Sequence, residues 1–513
     1  MLNNKNNKLL FYILLLGQLI SKSIFSNNWK DIESNTQDSV VQVLSQIAKF
    51  NWTEPYKSPE QMQATGTAFF ISEEGYLLTN FHVIDQAKSI YINVPSCGRK
   101  LLEVEVKGVY PERDIALMKV KKESYEEIIK TLGYIPYLPL GNSDATYRTE
   151  PVLALGYPLG QRYLKSTVGV VAGRDFISGF SYIHITAPIN PGNSGGPLLS
   201  LSGEVIGINT AYIKGSQNIC FIVPINEVKS ILEDLYKVKL YRKPQIGISC
   251  NHATEEHVQL LNNPAPGGLY VNYVLTDSLA YKAGIKKGDM LYELIWQGTS
   301  YQVDEYGDVK VDWRGCDKVS IGELINRFQL NDKVTAIVYR NGEKLELDFS
   351  FESDVKHPIR YIYPDYEKEE IDYEVFGGAV FMQLRENHFG LLPESYAIKK
   401  YHHPEAQAKQ AILITNIFPG SIMHKVQCFY PGAILDSINN QKIRTLEDLR
   451  STLIDSINNS TLSIKTKDGF ATVLSLDKIL EEEPRLSNNF VYPMSKTIKQ
   501  LIKIKSSTLD SKL

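Results

Sequence analysis

Between Thr65 and Val223 the chain repeats one local pattern: short β-branched or aromatic segments cut apart by Gly and Asn turns. A strand buries one face at period two, so a long succession of such segments folds as an all-β barrel or sandwich. Gly66 to Ile71, Tyr76 to Thr79, Ser89 to Val94, Leu101 to Val106 and Ile115 to Val120 predict a first barrel. After a linker helix over 124–129, a second barrel is expected from Val152 to Leu155, Ser166 to Val171, Tyr182 to Ile185, Pro197 to Leu199, Val205 to Ile208 and Ile219 to Val223. Asn226 reads as the cap of a closing helix over 227–235.

One turn in this region is chemically distinctive. Pro188-Ile189-Asn190-Pro191-Gly192-Asn193-Ser194-Gly195-Gly196-Pro197-Leu198 sets a serine among glycines, between apolar segments. A serine hydroxyl needs a base to take its proton, and the oxyanion it generates needs N–H donors at close range. Gly192 to Gly196 also fits the G-x-S-x-G elbow of α/β-hydrolases, but an elbow serine is followed by a helix and takes its histidine from downstream. Here strand, turn and strand follow. Upstream of Ser194 stand only His82 and His184. His184 lies in an alternating strand and reads as an ordinary strand residue. His82 ends Gly75 to Val83, where a strand runs into a short helical turn at a cleft. Asp114 opens an apolar strand, where a carboxylate is costly without a partner such as an imidazole N–H. Asp85, Asp144 and Asp175 sit in polar or turn contexts and read as solvated.

The order His82, Asp114, Ser194 is that of the chymotrypsin arrangement. Together, Thr79-Asn80-Phe81-His82-Val83-Ile84, Asp114-Ile115-Ala116-Leu117-Met118-Lys119, Gly156-Tyr157-Pro158-Leu159-Gly160 and Ile189 to Pro197 resemble the HtrA/Deg family of serine endopeptidases. The resemblance implies a protease domain over 61–240, with catalytic His82, Asp114 and Ser194 and an oxyanion hole from the backbone N–H groups of Gly192 and Ser194. No metal and no cofactor is expected. Specificity is expected to come from residues just before Ser194 and from Ala211 to Phe221. With no acidic residue there to hold Lys or Arg, cleavage after small or medium aliphatic residues is expected. Where the family carries an acidic residue eight positions before the serine, this chain has Thr186. The segments 143–165 and 213–218 read as loops able to gate activity.

Two later stretches share a plan of strand, short helix, turn and strand, then a helix and a hairpin turning at Asn341-Gly342 or Asp468-Gly469. They resemble PDZ modules, expected over 243–352 and 374–480. The first match is close, through Ala283 to Asp289; the second is loose, with Gly432-Ala433 in place of Gly-Asp. A PDZ module adds a peptide C-terminus to a sheet edge. Ile246, Gly247 and Ile248 are the first candidate peptide-binding loop, and Gly377 to Phe381 the second, with a blocked groove as the alternative there. The expected fold class is therefore mainly β: a chymotrypsin-like double β-barrel followed by two PDZ-like α+β modules.

The rest is read more simply. A chain of 513 residues exceeds one core. A net charge of −3 gives no basic field for nucleic acid. Five scattered cysteines, without C-x-x-C spacing, argue against zinc and read as mostly free thiols. Residues 1–26 open with Lys5 and Lys8, run into a short apolar core and read as a signal peptide, an uncleaved anchor being the alternative. The C-terminal Ser511-Lys512-Leu513 spells a peroxisomal address that conflicts with export, and is taken as coincidence. Residues 27–60 are expected to carry an amphipathic helix from Asp38 to Leu44. The acidic linker 353–373 is expected to be exposed or packed between modules, Glu481 to Pro484 to close the second module, and 481–513 to be a tail whose basic, partly amphipathic stretch from Ser495 to Lys505 reads as a surface helix, membrane-surface contact being the alternative. The resemblance further implies an exported, periplasmic enzyme of protein quality control. It would act on unfolded or misfolded chains, bind C-terminal peptides at the first PDZ-like module and assemble as a homo-oligomer, a trimer or a multiple of it. A catalytically idle peptide-binding chaperone or scaffold is the rival reading.

Overall fold

The computed structural model describes residues 29–212, 220–315, 317–352, 357–393 and 396–510. The signal-peptide reading, the 213–218 insert and Cys316 lie outside them. The described residues fall into two compact units.

In the first unit, a short helix α1 over residues 29–36 precedes the first barrel. Its strands are β1 (Val40–Lys49), β2 (Glu60–Phe70), β3 (Tyr76–Thr79), β4 (Ala87–Asn93), β5 (Leu102–Tyr110) and β6 (Ile115–Val120), closed in the order β1-β2-β3-β6-β5-β4. The helix expected from Asp38 is strand β1, paired antiparallel with β4 through Gln42 opposite Asn93 and Leu44 opposite Tyr91. Val40, Val41 and Val43 suit either period locally. The unpaired edge of β4 decides in favour of the strand, as tertiary context commonly overrides propensity.

Helix α2 (Lys122–Leu132) then leads to the second barrel, β7 (Pro151–Gly156), β8 (Lys165–Ile177), β9 (Phe180–Ile185), β10 (Pro197–Leu199), β11 (Val205–Tyr212) and β12 (Cys220–Pro224), closed as β10-β11-β12-β9-β8-β7. Segment 143–165 is thus not one loop, since β7 runs through it. Helix α3 (Ile225–Lys237) begins one residue before Asn226, after Pro224, so Asn226 is not its cap. The Asn226 amide instead donates to Asn142 Oδ1 and Asp144 Oδ2, both at 2.7 Å. Ile225, Val228, Ile231 and Leu235 of α3 join Phe69, Leu78, Leu117, Leu153 and Leu199 in one core shared by the two barrels.

The same unit contains most of the first PDZ-like module, whose residues 274–282 are grouped with the second unit. It comprises β13 (Ile248–His252), α4 (Glu255–Leu260), β14 (Leu269–Val274), α5 (Leu279–Ala283), β15 (Met290–Trp296), β16 (Thr299–Gln302), β17 (Asp308–Lys310), β18 (Lys318–Ser320), α6 (Ile321–Ile325), β19 (Lys333–Arg340) and β20 (Glu343–Ser350). Its main sheet runs β13-β14-β15-β19-β20, with β13 at the edge.

The second unit holds a three-stranded sheet of β21 (Tyr373–Phe376), β22 (Ala379–Gln383) and β23 (Ile412–Ile417). Short helices α7 (Tyr396–Lys400), α8 (Pro404–Gln407) and α9 (Ile422–Lys425) accompany it. A second sheet of β24 (Leu435–Ile438), β25 (Gln441–Lys442), β26 (Thr461–Thr466) and β27 (Ala471–Ser475) is ordered β25-β24-β26-β27. Helix α10 (Leu446–Asp455) is capped by Thr445, whose hydroxyl accepts the Asp448 N–H while the Asp448 carboxylate accepts the Thr445 N–H.

The C-terminal residues are core-forming, which corrects the reading of 481–513 as a tail. Glu481 to Pro484 lies inside helix α11 (Leu476–Phe490), and helix α12 (Lys496–Asp510) follows. Ile479, Leu480, Ile498 and Leu501 pack with Phe381, Leu449 and Ile464 in one cluster. Leu501 is fully buried, so Leu501→Ala is expected to cost about 2–5 kcal/mol in urea unfolding. The acidic connector is also partly internal: Ile362 and Tyr363 are buried, and Arg360 holds Glu367 at 2.9 Å.

Candidate active site

Each candidate site residue owes its position to a strand end. β3 ends at Thr79, and a single turn of tight helix (Phe81–Val83) throws His82 outward while Phe81 and Val83 stay buried. Another such turn (Pro111–Arg113) ends β5, and Asp114 follows it in the left-handed region at φ 60°, immediately before β6. Aspartate tolerates that conformation better than most side chains. Because β3 and β6 are neighbours, with Thr79 opposite Ala116, the two turns meet. The Asn80 amide and the Phe81 N–H both donate to the Asp114 carbonyl.

The Asp114 carboxylate is fully engaged. Oδ1 accepts the His82 backbone N–H at 2.9 Å, and Oδ2 lies 2.8 Å from His82 Nδ1. Oδ2 also accepts the Thr210 hydroxyl at 2.7 Å. These contacts fix the imidazole by its Nδ1 side. Partial burial pulls the imidazole pKa down, but the Asp114 hydrogen bond and charge outweigh it, and the net displacement is upward from 6.5.

Ser194 comes from the second barrel. Its backbone carbonyl accepts the Thr67 N–H at 2.9 Å, anchoring the serine turn on β2. Gly195 has φ +85°, and a Cβ there would lie 2.1 Å from the Thr67 carbonyl oxygen and 2.2 Å from Thr79 Oγ1. Gly192 has φ +101°, and a Cβ there would meet the Tyr157 carbonyl oxygen at 2.4 Å. Only glycine fits such positions, so the turn is pressed between β2, β3 and the loop after β7. Among the described residues, the N–H groups of Gly192 and Ser194 donate to no acceptor. The Ser194 hydroxyl donates to the Thr210 carbonyl at 3.0 Å rather than to His82.

Thr210 on β11 is therefore the residue that sequence reasoning missed. Its hydroxyl holds Asp114 and its carbonyl holds Ser194, linking the carboxylate to the serine through one amino acid. No local pattern marks it, because its role depends on a partner 96 residues away.

Of the expected specificity segment, residues 213–219 lie outside the described residues. Cys220 and Phe221 open β12 and are buried. Thr186, at the position where an acidic residue was expected, accepts the Val170 N–H through its hydroxyl at 3.0 Å. Among the described residues no cluster of His, Cys, Asp and Glu could hold a metal ion, and Cys97, Cys220, Cys250 and Cys428 are free thiols.

The two candidate peptide loops differ. In the first, Ile246 is buried, Gly247 turns at φ +81° and Ile248 starts the edge strand β13. In the second, Gly377-Gly378 is a two-residue hairpin turn, and β22 is paired with β21 on one side and β23 on the other. No edge of β22 is left for an added strand, which corrects the reading of Gly377 to Phe381 as a second peptide groove. The Gly377 N–H donates to Glu483 Oε1 at 2.6 Å, so an internal carboxyl occupies the loop. Burial pushes Glu483 up to about 7, against the lowering effect of its bonds from Tyr492 and Gly377. A raised carboxyl contributes stability that is fully present below about 4.5 and lost as pH rises through about 7. A loss on the order of 3 kcal/mol between pH 4.5 and 7.5 is expected, and Glu483→Gln should flatten that slope in urea titrations at each pH.

Comparison with known proteins agrees with this architecture. The model of a trypsin-like peptidase domain matches residues 66–208, and that of a PDZ domain matches residues 363–496. A probable periplasmic serine endoprotease, DegP-like, of Chlamydia pneumoniae is 28% identical over 418 residues, covering 79% of this chain and 74% of that one. A protein of the same description from Marinomonas sp. is 29% identical over 305 residues, covering 58% of this chain and 59% of that one. Among solved structures, HtrA-type protease AlgW with decapeptide is 24% identical, with a TM-score of 0.48 over 63% of this chain and 98% of that one. A trypsin-like peptidase domain and a PDZ domain in one chain, together with similarity to DegP-like relatives, support a serine endopeptidase that resembles the HtrA/Deg proteases.

Proposed function

We propose that the chain hydrolyses peptide bonds of unfolded or misfolded proteins through an acyl-enzyme on Ser194, with His82 and Asp114 completing the triad. The observation that carries this reading is the engagement of one carboxylate, Asp114, by His82 directly and by Thr210, whose carbonyl receives the Ser194 hydroxyl. The reaction requires the Ser194 hydroxyl to turn from the Thr210 carbonyl to the imidazole. His82 Nε2 takes the hydroxyl proton as Oγ attacks the substrate carbonyl carbon, and the resulting oxyanion receives the N–H groups of Gly192 and Ser194. His82 then gives its proton to the departing amine. A water molecule attacks the acyl-enzyme with the same base, releasing the new carboxyl terminus and free Ser194. Asp114 keeps Nδ1 protonated and stabilises the imidazolium.

Cys220 and Phe221 are apolar or nearly so and offer no charge to hold Lys or Arg, and cleavage after small or medium aliphatic side chains belongs to this reading. The relatives are described as periplasmic, and among the described residues no helix is long and apolar enough to cross a membrane. Export to the periplasm and assembly as a trimer or a multiple of it belong to the same reading. Casein, which has no fixed fold, should be degraded, while a compact disulfide-bonded protein should be cut only after reduction. Equal resistance of both to cleavage would count against it.

The first PDZ-like module supplies the binding edge. A peptide C-terminus extends the sheet along β13, its carboxylate held by N–H groups of the Ile246-Gly247-Ile248 turn. Ile248→Pro removes one of those donors and is expected to weaken a fluorescent peptide with an aliphatic C-terminus at least tenfold in polarisation titrations. Unchanged affinity would place the peptide elsewhere.

A further inference from the structure

The first unit contains a buried cationic cluster that peptide hydrolysis does not use. Arg174 on β8 of the second barrel and Trp313 and Arg314 of the first PDZ-like module line one cleft of ≈ 1020 Å³. The Arg314 side chain is only 7% exposed; its Nη2 donates to Glu323 at 2.5 Å, while Nη1 stands 3.9 Å from Asp144, beyond hydrogen-bond reach. Asp144 is already held by both terminal nitrogens of Arg327, at 2.9 and 2.6 Å. Arg174 spends Nη2 on the Ser143 carbonyl and on Thr146 Oγ1 and has no ion-pair partner among the described residues.

Four buried donors are left without an acceptor: Arg174 Nη1, Arg314 Nε and Nη1, and Trp313 Nε1. Three guanidinium groups face two carboxylates, so the inner cluster carries an excess positive charge. Arg174 responds accordingly: burial first, and then the charge of Arg314, draw it down to about 10. Arg148, Asp175, Asp317 and Lys318 stand at the exposed rim, where Lys318 is paired with Asp304 and Asp175 lies 3.7 Å from His184. Buried donors of this kind are normally satisfied, and guanidinium forks match oxyanions geometrically.

We propose that this cleft binds a small oxyanion, phosphate or a carboxylate, held between Arg174 of the peptidase barrel and Trp313 and Arg314 of the PDZ-like module. The site goes beyond hydrolysis and stands or falls independently of it.

The test uses the full chain and needs no substrate. Inorganic phosphate, and acetate in a separate arm, are titrated at ionic strength held constant with chloride, reading heat by calorimetry and Tm by scanning. Saturable binding with a rise in Tm is expected for at least one of them and not for chloride, and the arm that saturates identifies the source. Arg174→Met should weaken binding at least tenfold while leaving the anion-free Tm unchanged or higher, since a buried unpaired charge is gone. Trp313→Phe keeps the ring, loses the donor and should weaken binding even if Arg174→Met fails to fold. Absence of saturable binding by either anion, or undiminished affinity in the folded variants, would overturn the proposal and leave water as the partner of these donors.

Discussion

Ser194→Ala is expected to lower casein cleavage by about four powers of ten or more, with circular dichroism and Tm close to those of the wild type. The hydroxyl makes one hydrogen bond, to the Thr210 carbonyl, so its removal perturbs the fold little. On the proposed mechanism its loss from catalysis is another matter, because Ser194 Oγ is the atom that is acylated. His82→Ala should fall by a similar factor, and the double variant should be scarcely worse than either single one, since residues that act as a unit are not additive. Full activity in Ser194→Ala would reassign the nucleophile. Absence of cleavage by the wild type on unfolded substrates would favour the idle peptide-binding scaffold.

The second large effect concerns Asp114. Asp114→Asn is expected to reduce kcat by about four powers of ten at neutral pH, because an amide accepts the Nδ1 proton poorly and favours the wrong tautomer. The pH profile separates this role from a structural one. The base must be neutral to act, and its pKa is displaced upward from 6.5, so kcat/KM of the wild type should rise with pH and reach half its plateau above 6.5. In Asp114→Asn the midpoint should move down, as the partner that favours the charged imidazole is gone. Stability runs the other way: the His82–Asp114 contribution is fully present below 6.5 and fades as pH rises through the raised value. A wild-type midpoint below 6.5, or the same midpoint in both proteins, would contradict the assigned orientation. Thr210→Val offers a milder version, since it removes one of three donors to the carboxylate and leaves the imidazole contact.

What could be read in the chain beforehand follows from how local each signal is. The barrels were legible because period-two segments and Gly turns are local, and Ser194 because its close-packed turn demands glycines at Gly192 and Gly195. His82 and Asp114 were legible through chain order and the position of each at the end of an apolar strand. Strand β1 was not, since Val40, Val41 and Val43 fit a helix or a strand until β4 is there to pair with. A helix was legible in the basic stretch of α12 but its buried face was not, and α11 was hidden by its charges: Glu481 to Pro484 reads as the end of a module, yet Glu483 is buried against Gly377 and Tyr492. The second PDZ-like groove was misread for want of the strand pairing. Gly377-Gly378 has the composition of a carboxylate loop, and only the pairing of β22 on both sides shows that a hairpin occupies its place. Thr210 could not be found locally, because a threonine in a strand becomes a bridge only when Asp114 and Ser194 arrive beside it.

The most direct measurement is covalent labelling of the full chain with a fluorophosphonate, followed by peptide mass spectrometry. Such reagents phosphonylate a serine only where a base removes its proton beside oxyanion donors. A single adduct on the peptide bearing Ser194, absent from His82→Ala, is the expected result. An unmodified Ser194 in a preparation that degrades casein, or an adduct on another serine, would contradict the convergence of His82, Asp114 and Ser194 into one catalytic site.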